Sequence, residues 1–226
     1  MKSINKRKSI IISIICFSLL IGVFIVFKNS SDNKCSSNPK YECIIQYIED
    51  SMVNQIDITD NIDEINEYLE DKDQDSEYYF IKGYLDYISE NARGAIDNFK
   101  ICSEKITKND TPFVKIYTYT LLNECLESEE EIESLAENCK KALEYISKEK
   151  EYKNNVSLIW RNASTLINSK SNIEEAINML KDYKNNVRGL TNETKVRLIP
   201  NIGQLYTLIY RYSDSIYCYL DALHIL

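Results

Sequence analysis

Glycine and proline are scarce in this chain, with five and three among 226 residues. Sandwiches and barrels turn every dozen residues or so and depend on both residue types, so the scarcity speaks against an all-β fold. No Walker loop, dinucleotide-binding glycine pattern, G-x-S-x-G or H-E-x-x-H occurs, which removes the common nucleotide, hydrolase and zinc-protease signatures. Histidine is represented by His224 alone, too little for a catalytic triad or a histidine-based metal site. None of the seven cysteines is spaced as C-x-x-C. Acidic pairs occur throughout and therefore single out no catalytic couple. No cofactor, metal or catalytic machinery is expected from these residues.

Positive charge is also lacking outside the N-terminus. The net charge is -8, yet residues 1–27 hold four bases (Lys2, Lys6, Arg7, Lys8) and no acid, leaving -12 for the rest. So negative a surface repels phosphate backbones, and nucleic acid is not an expected partner. What is present is a 44% hydrophobic fraction with 17 tyrosines, enough to bury a core and to supply amphipathic packing surfaces.

Ser9 to Phe27 (SIIISIICFSLLIGVFIVF) is uncharged. At ~1.5 Å per helical residue it matches a hydrocarbon core of ~30 Å. It lacks the small-x-small exit of a cleaved signal peptide, and Cys16 lacks a lipoprotein context. Residues 1–28 therefore read as a cytoplasmic basic tail and an uncleaved transmembrane signal anchor. The basic flank stays inside and the bulk of the chain lies outside the cell membrane. Residues 29–40 (NSSDNKCSSNPK) form a Ser/Asn-rich flexible linker.

Beyond it, apolar residues recur at three and four, which predicts an all-α fold. Residues 41–75 contain two leading amphipathic helices, expected to cap the array that follows, the second starting at Thr59 or Asp60 as N-cap. From 76 to 226 an internal repeat emerges. A small or polar residue in a first helix precedes a second-helix marker by 12 residues: Gly83 and Ala95, Asn123 and Leu135, Ser164 and Ala176, Gly203 and Ser215. The units recur at 40, 41 and 39 residues. Gly83 and Gly203 let the paired helix approach, Ala95, Ala176 and Ala222 do so from the facing side, and Phe99 and Tyr219 fill the gap between units.

This pattern resembles the tetratricopeptide repeat, and implies a transmembrane helix followed by an α-solenoid of antiparallel helix pairs. The family period is 34, so the extra residues belong in longer helices or longer inter-repeat turns. Leu226 closes the sequence inside a helix without a polar stop, and the last repeat reads as incomplete. A longer protein with further repeats, or an oligomer, is the expectation there.

Other features have bland readings. Cys102 and Cys139 occupy packing positions and are expected as buried free thiols, while Cys35 and Cys43 flank Pro39 in a spacing open to a small disulfide loop. Asp71, Asp73 and Asp75 imitate a calcium loop but lack its Gly and its closing Glu, and read as a solvated turn. Glu129 to Glu131 is expected at a helix N-terminus. By the family's groove offsets, the concave face carries Glu77, Tyr84, Tyr87, Tyr117, Glu124, Arg161, Asn168, Arg197 and Gln204, suited to a protein or peptide ligand. The order of anchor, linker and array resembles the input region of clostridial membrane signalling proteins. That resemblance implies an extracytoplasmic sensor whose output, a GGDEF diguanylate cyclase or a histidine kinase, lies in a continuation. The alternative is a membrane-tethered scaffold for envelope or secretion assembly.

Overall fold

The computed structural model describes residues 41–70, 72–129, 131–168 and 173–226. The expected anchor at 9–27 and the linker at 29–40 lie outside them. Among the described residues no helix is long and apolar enough to cross a membrane. By its contacts the chain divides after Glu42, and the architecture below is that of Cys43–Leu226.

The fold is all-α among the described residues, as the three-and-four periodicity requires. The helices are α1 (Glu42–Asn54), α2 (Ile62–Leu69), α3 (Ser76–Ile88), α4 (Ala92–Lys105), α5 (Pro112–Ser128), α6 (Leu135–Lys148), α7 (Val156–Asn168), α8 (Ile173–Asn186), α9 (Asn192–Leu208) and α10 (Tyr212–Ile225). Local chemistry sets many of their starts. Asp75, Asn91, Thr111 and Thr191 each accept a hydrogen bond from the backbone N–H three residues on, and Pro112 adds a fixed φ at the first position of α5. The expected cap of the second leading helix is displaced. Thr59–Asn61 is a 3-10 turn, and Asp57 Oδ1 accepts from both Thr59 N (2.9 Å) and Thr59 Oγ1 (2.7 Å). Those bonds favour the ionised carboxylate and lower the Asp57 pKa.

From α3 onward each helix packs on the next, and first helices also pack on one another: α3 on α5, α5 on α7, α7 on α9. This is a row of helical hairpins. In the first, second and fourth, a residue of the first helix faces a residue 16 positions later. In the first hairpin the pair is Gly83 and Phe99. A Cβ on Gly83 would lie 2.7 Å from the Phe99 ring, which is fully buried and joined to Phe80 (centroids 6.1 Å); Phe80 in turn meets Phe113 of α5 edge-on at 5.6 Å. In the second hairpin the pair is Asn123 and Cys139, where Asn123 Nδ2 donates to Cys139 Sγ at 3.4 Å. In the fourth, Gly203 lies under Cys218 and Tyr219. The residues beyond a period of 34 sit in the 17-residue helices α5 and α9 and in the connections 106–111 and 149–155.

The last second-helix departs from the others. Ile177 in α8 is 2% exposed, and its equivalent in α10, Ile216, is 58% exposed. Tyr219 was expected to fill an inter-unit gap and is instead 40% exposed, whereas Phe99 and Leu180 at the same register are fully buried. In inner hairpins the next first-helix covers this face, and none follows α10 within the described residues.

The acidic run also differs from expectation. Glu129 sits at the C-terminal end of α5, where the macrodipole disfavours it, and is compensated by Arg93 at 3.4 Å; Glu131 pairs with Lys100 at 3.3 Å.

Two stability measurements probe this packing. Gly83→Ala is expected to cost about 1–3 kcal/mol in urea unfolding, because the Phe99 ring has nowhere to move. Adding Phe99→Leu should make the double variant more stable than the sum of the two singles predicts. Ile177→Ala should cost about 2–4 kcal/mol, and the register-equivalent Ile216→Ala no more than about 0.5 kcal/mol.

Candidate functional site

The helical period puts Tyr84 and Tyr87 on one face of α3, and Tyr117 and Glu124 on one face of α5. Glu124 is the hub. It accepts from the Tyr87 hydroxyl at 3.0 Å and from two guanidinium nitrogens of Arg161 on α7, Nη2 at 2.7 Å and Nε. Both partners stand 37 residues from Glu124, shorter than the repeat. The relay therefore runs diagonally over the first helices, stepping about one turn toward the N-terminus at each hairpin.

The cluster is half-buried, and its protonation states follow. Burial, and then the charge and hydrogen bond of Glu124, push the Tyr87 pKa up to about 12. Burial also raises Tyr117, partly offset by Arg161. For Arg161, burial alone acts downward, but the Glu124 hydrogen bond and charge hold the guanidinium above its ordinary value. Tyr87 and Tyr117 therefore stay neutral and Arg161 stays charged at neutral pH. Phe113 packs on Tyr117 at 4.6 Å between centroids, and Tyr84 stacks near Tyr87 at 6.4 Å.

The leading helix α1 reaches the same place. It does not cap the row as expected. Ser51 Oγ is 3.2 Å from the Tyr84 hydroxyl, and Glu49 Oε1 accepts from the Tyr152 hydroxyl at 3.0 Å, just ahead of α7. Burial, the hydrogen bond to Glu49 and its charge all raise Tyr152. Ile45 and Ile48 of α1 are buried. Thus α1 lies across the groove floored by α3, α5 and α7.

Of the nine residues expected on the concave face, Tyr84, Tyr87, Tyr117, Glu124 and Arg161 come together. Arg197 stands exposed and faces Glu193 of its own helix at 3.9 Å, and Gln204 is exposed on α9. Glu77 is half-buried at the start of α3, where its charge bears on Cys102. Asn168 ends α7, and its side chain lies outside the description. Glu49, Ser51 and Tyr152 were not anticipated: two sit on a helix without the repeat register, and Tyr152 sits in a turn. Their one sequence signal is position, an acid on the polar side of an isoleucine-rich helix and a tyrosine eight residues before Trp160.

The remaining candidates are structural. Cys102 Sγ lies 3.1 Å from the Ser76 carbonyl and from Thr118 Oγ1, and Cys139 Sγ lies 3.0 Å from the Asn162 carbonyl. Burial pushes both thiols up to about 12, so they are unreactive. Cys43 is exposed with a free thiol, and Cys35 lies outside the described residues. Asp71 does too, while Asp75 caps α3. Among the described residues no group of three or more His, Cys, Asp or Glu side chains is placed to hold a metal ion. His224 is exposed. No family model, curated protein or solved structure matches the chain.

A groove of aromatic faces, hydroxyls and one satisfied ion pair is equipped to bind, since it offers hydrogen-bond partners on an apolar floor and no activated nucleophile.

The buried thiols set a pH dependence. Their folded pKa of about 12 exceeds the ordinary 9.0, so above pH 9 the unfolded chain releases protons that the folded chain keeps. Stability is fully present below pH 9 and falls toward pH 12, by on the order of 2–3 kcal/mol per thiol at pH 11. Urea unfolding at fixed pH values checks this, and Cys102→Ala with Cys139→Ala should flatten the slope while lowering stability at neutral pH.

Proposed function

We propose that this chain is a membrane-anchored, extracytoplasmic binding module, a tetratricopeptide-like array that recognises a protein or peptide segment in the groove of its first helices. The observation that carries the reading is the diagonal Tyr87–Glu124–Arg161 relay beside Tyr117. Rigid aromatic and guanidinium groups held by one another lose little entropy when a ligand docks, which suits recognition. Residues 9–27 supply the anchor, and the acidic bulk of the chain lies outside the cell. The resemblance to clostridial input regions supports a role in signal transduction, with a diguanylate cyclase or histidine kinase as output.

A membrane-tethered scaffold without output is the second reading, favoured by the exposed apolar face of α10 at Tyr212, Ile216, Leu220 and Leu223. Such a face suits a further helix of the same array or of an oligomer.

A membrane-impermeant maleimide applied to intact cells is expected to label Cys35. Labelling only after lysis overturns the outward orientation. The reading frame past Leu226 separates the two roles: a second apolar span with a GGDEF or kinase domain supports the sensor, and a stop codon supports the scaffold.

A further inference from the structure

We propose that α1 is an exchangeable occupant of the groove, a helix docked as a ligand would dock, and that the partner the groove accepts is an acidic amphipathic helix with the same face. The inference rests on the reading of the groove as a binding site. It starts from how differently α1 is held. Neighbouring helices from α3 to α10 pack backbone against backbone, whereas the α1 backbone approaches other elements only at isolated positions. Its attachment is made by side chains. Ile44, Ile45 and Ile48 supply the apolar part, Ser51 meets Tyr84 at 3.2 Å, Glu49 receives the Tyr152 hydroxyl at 3.0 Å, and the Tyr47 hydroxyl donates to Asn61 at 3.1 Å. Glu49 and Tyr152 are 103 residues apart, so this docking bridges α1 to the third hairpin without belonging to the repeat ladder.

The chemistry of α1 specifies the partner. Glu42–Asn54 carries Glu42, Glu49 and Asp50 and no basic residue. The groove's own cation, Arg161, is already committed to Glu124, which leaves tyrosine hydroxyls as the donors. Among the described residues the Tyr117 hydroxyl makes no hydrogen bond, and the charge of Glu49 acts on it. A helix with isoleucine-like residues at the spacing of Ile44, Ile45 and Ile48 and a carboxylate on the adjoining edge satisfies this floor. A basic helix would find no carboxylate there free of Arg161 except that of Glu49 itself.

Thirteen residues make a marginal helix once detached, so undocking α1 is accompanied by its melting. Because α1 follows the linker directly in sequence, exchange of α1 for an external helix would release the segment nearest the proposed anchor.

Native-state hydrogen exchange on the full-length chain, in detergent or nanodiscs, tests the proposal. Amides of α1 should exchange at least about 10-fold faster than those of α5 and α7, through a local opening that leaves the array folded. Tyr152→Phe should accelerate α1 by a further several-fold, and Ile48→Asp by more, with α5 and α7 unchanged. A synthetic peptide of sequence Glu42–Asn54 should bind the Ile48→Asp chain at least about 10-fold more tightly than the native chain, whose groove is filled. Equal exchange of α1 and α5 in the native chain, or equal peptide binding by both chains, overturns the proposal. If Ile48→Asp unfolds the array, as circular dichroism would reveal, the comparison of Tyr152→Phe with the native chain decides alone. The outcome is separable from the labelling at Cys35: α1 can prove fixed while the outward topology stands, and the reverse.

Discussion

The close approach of paired helices at a 16-residue interval is the constraint on which the remaining structure depends. Where Gly83 faces Phe99, the missing Cβ is what admits the ring, and the buried ring then meets Phe80, which carries the contact on to Phe113 of the next hairpin. The second hairpin reaches the same spacing with different chemistry. There Asn123 donates to Cys139, whose thiol in turn lies against α7 at Asn162 and Thr165. This polar solution is imperfect, since the side-chain oxygens of Asn123 and Asn162 are buried without a partner. Each such orphan costs about 1–3 kcal/mol. The aromatic contact of the first hairpin has no such penalty.

That register fixes where the first helices lie, and hence where the groove is. Tyr87, Glu124 and Arg161 meet only because successive first helices are close enough for one carboxylate to reach both neighbours. The ion pair itself is half-exposed, with side-chain exposures of 36% and 23%, and at such positions contributes about 1 kcal/mol or less. Its role is orientation. A guanidinium held at two nitrogens and a tyrosine held at its hydroxyl present fixed faces to whatever enters.

Much of this was legible in the residues. The three-and-four periodicity specified helices, and the spacing from Gly83 to Ala95 marked the hairpin contact, whereas the caps Asp75, Asn91 and Thr111 emerged only in the structure. The buried state of Cys102 and Cys139 followed from their register. Of the nine residues that the family's groove offsets select, Tyr84, Tyr87, Tyr117, Glu124 and Arg161 come together, while Glu77, Arg197 and Gln204 stand apart from them. Arg197 and Gln204 are exposed on α9, and Glu77 lies at the start of α3, where its charge bears on Cys102. What the sequence did not reveal was the placement of α1 and of Tyr152. Repeat arithmetic predicts neighbours in register, and neither belongs to the register: α1 precedes it, and Tyr152 lies in the connection 149–155. The first-turn chemistry of Asp57 was missed for a related reason, because a side-chain-capped turn satisfies the same donors as a helix cap.

The placement of α1 also explains an apparent mismatch between the groove's charge and that of the chain. A strongly acidic protein with a groove proposed to take acidic segments sounds self-defeating, since like charges repel. The repulsion is local, however, and falls off over ~8–10 Å at ordinary ionic strength. Beside Glu49 stands the Tyr152 hydroxyl, and the Glu124 charge is already neutralised by Arg161. The overall negative charge acts instead at long range, slowing the approach of acidic segments in solution while leaving the tethered α1 unaffected, because its local concentration is set by the chain and not by diffusion. Under the proposed exchange, the groove would favour its own helix and take an external one only when that helix arrives at high local concentration or with a better apolar face. Selectivity of this kind needs no specific cation in the groove, and Arg161 is spared to hold Glu124.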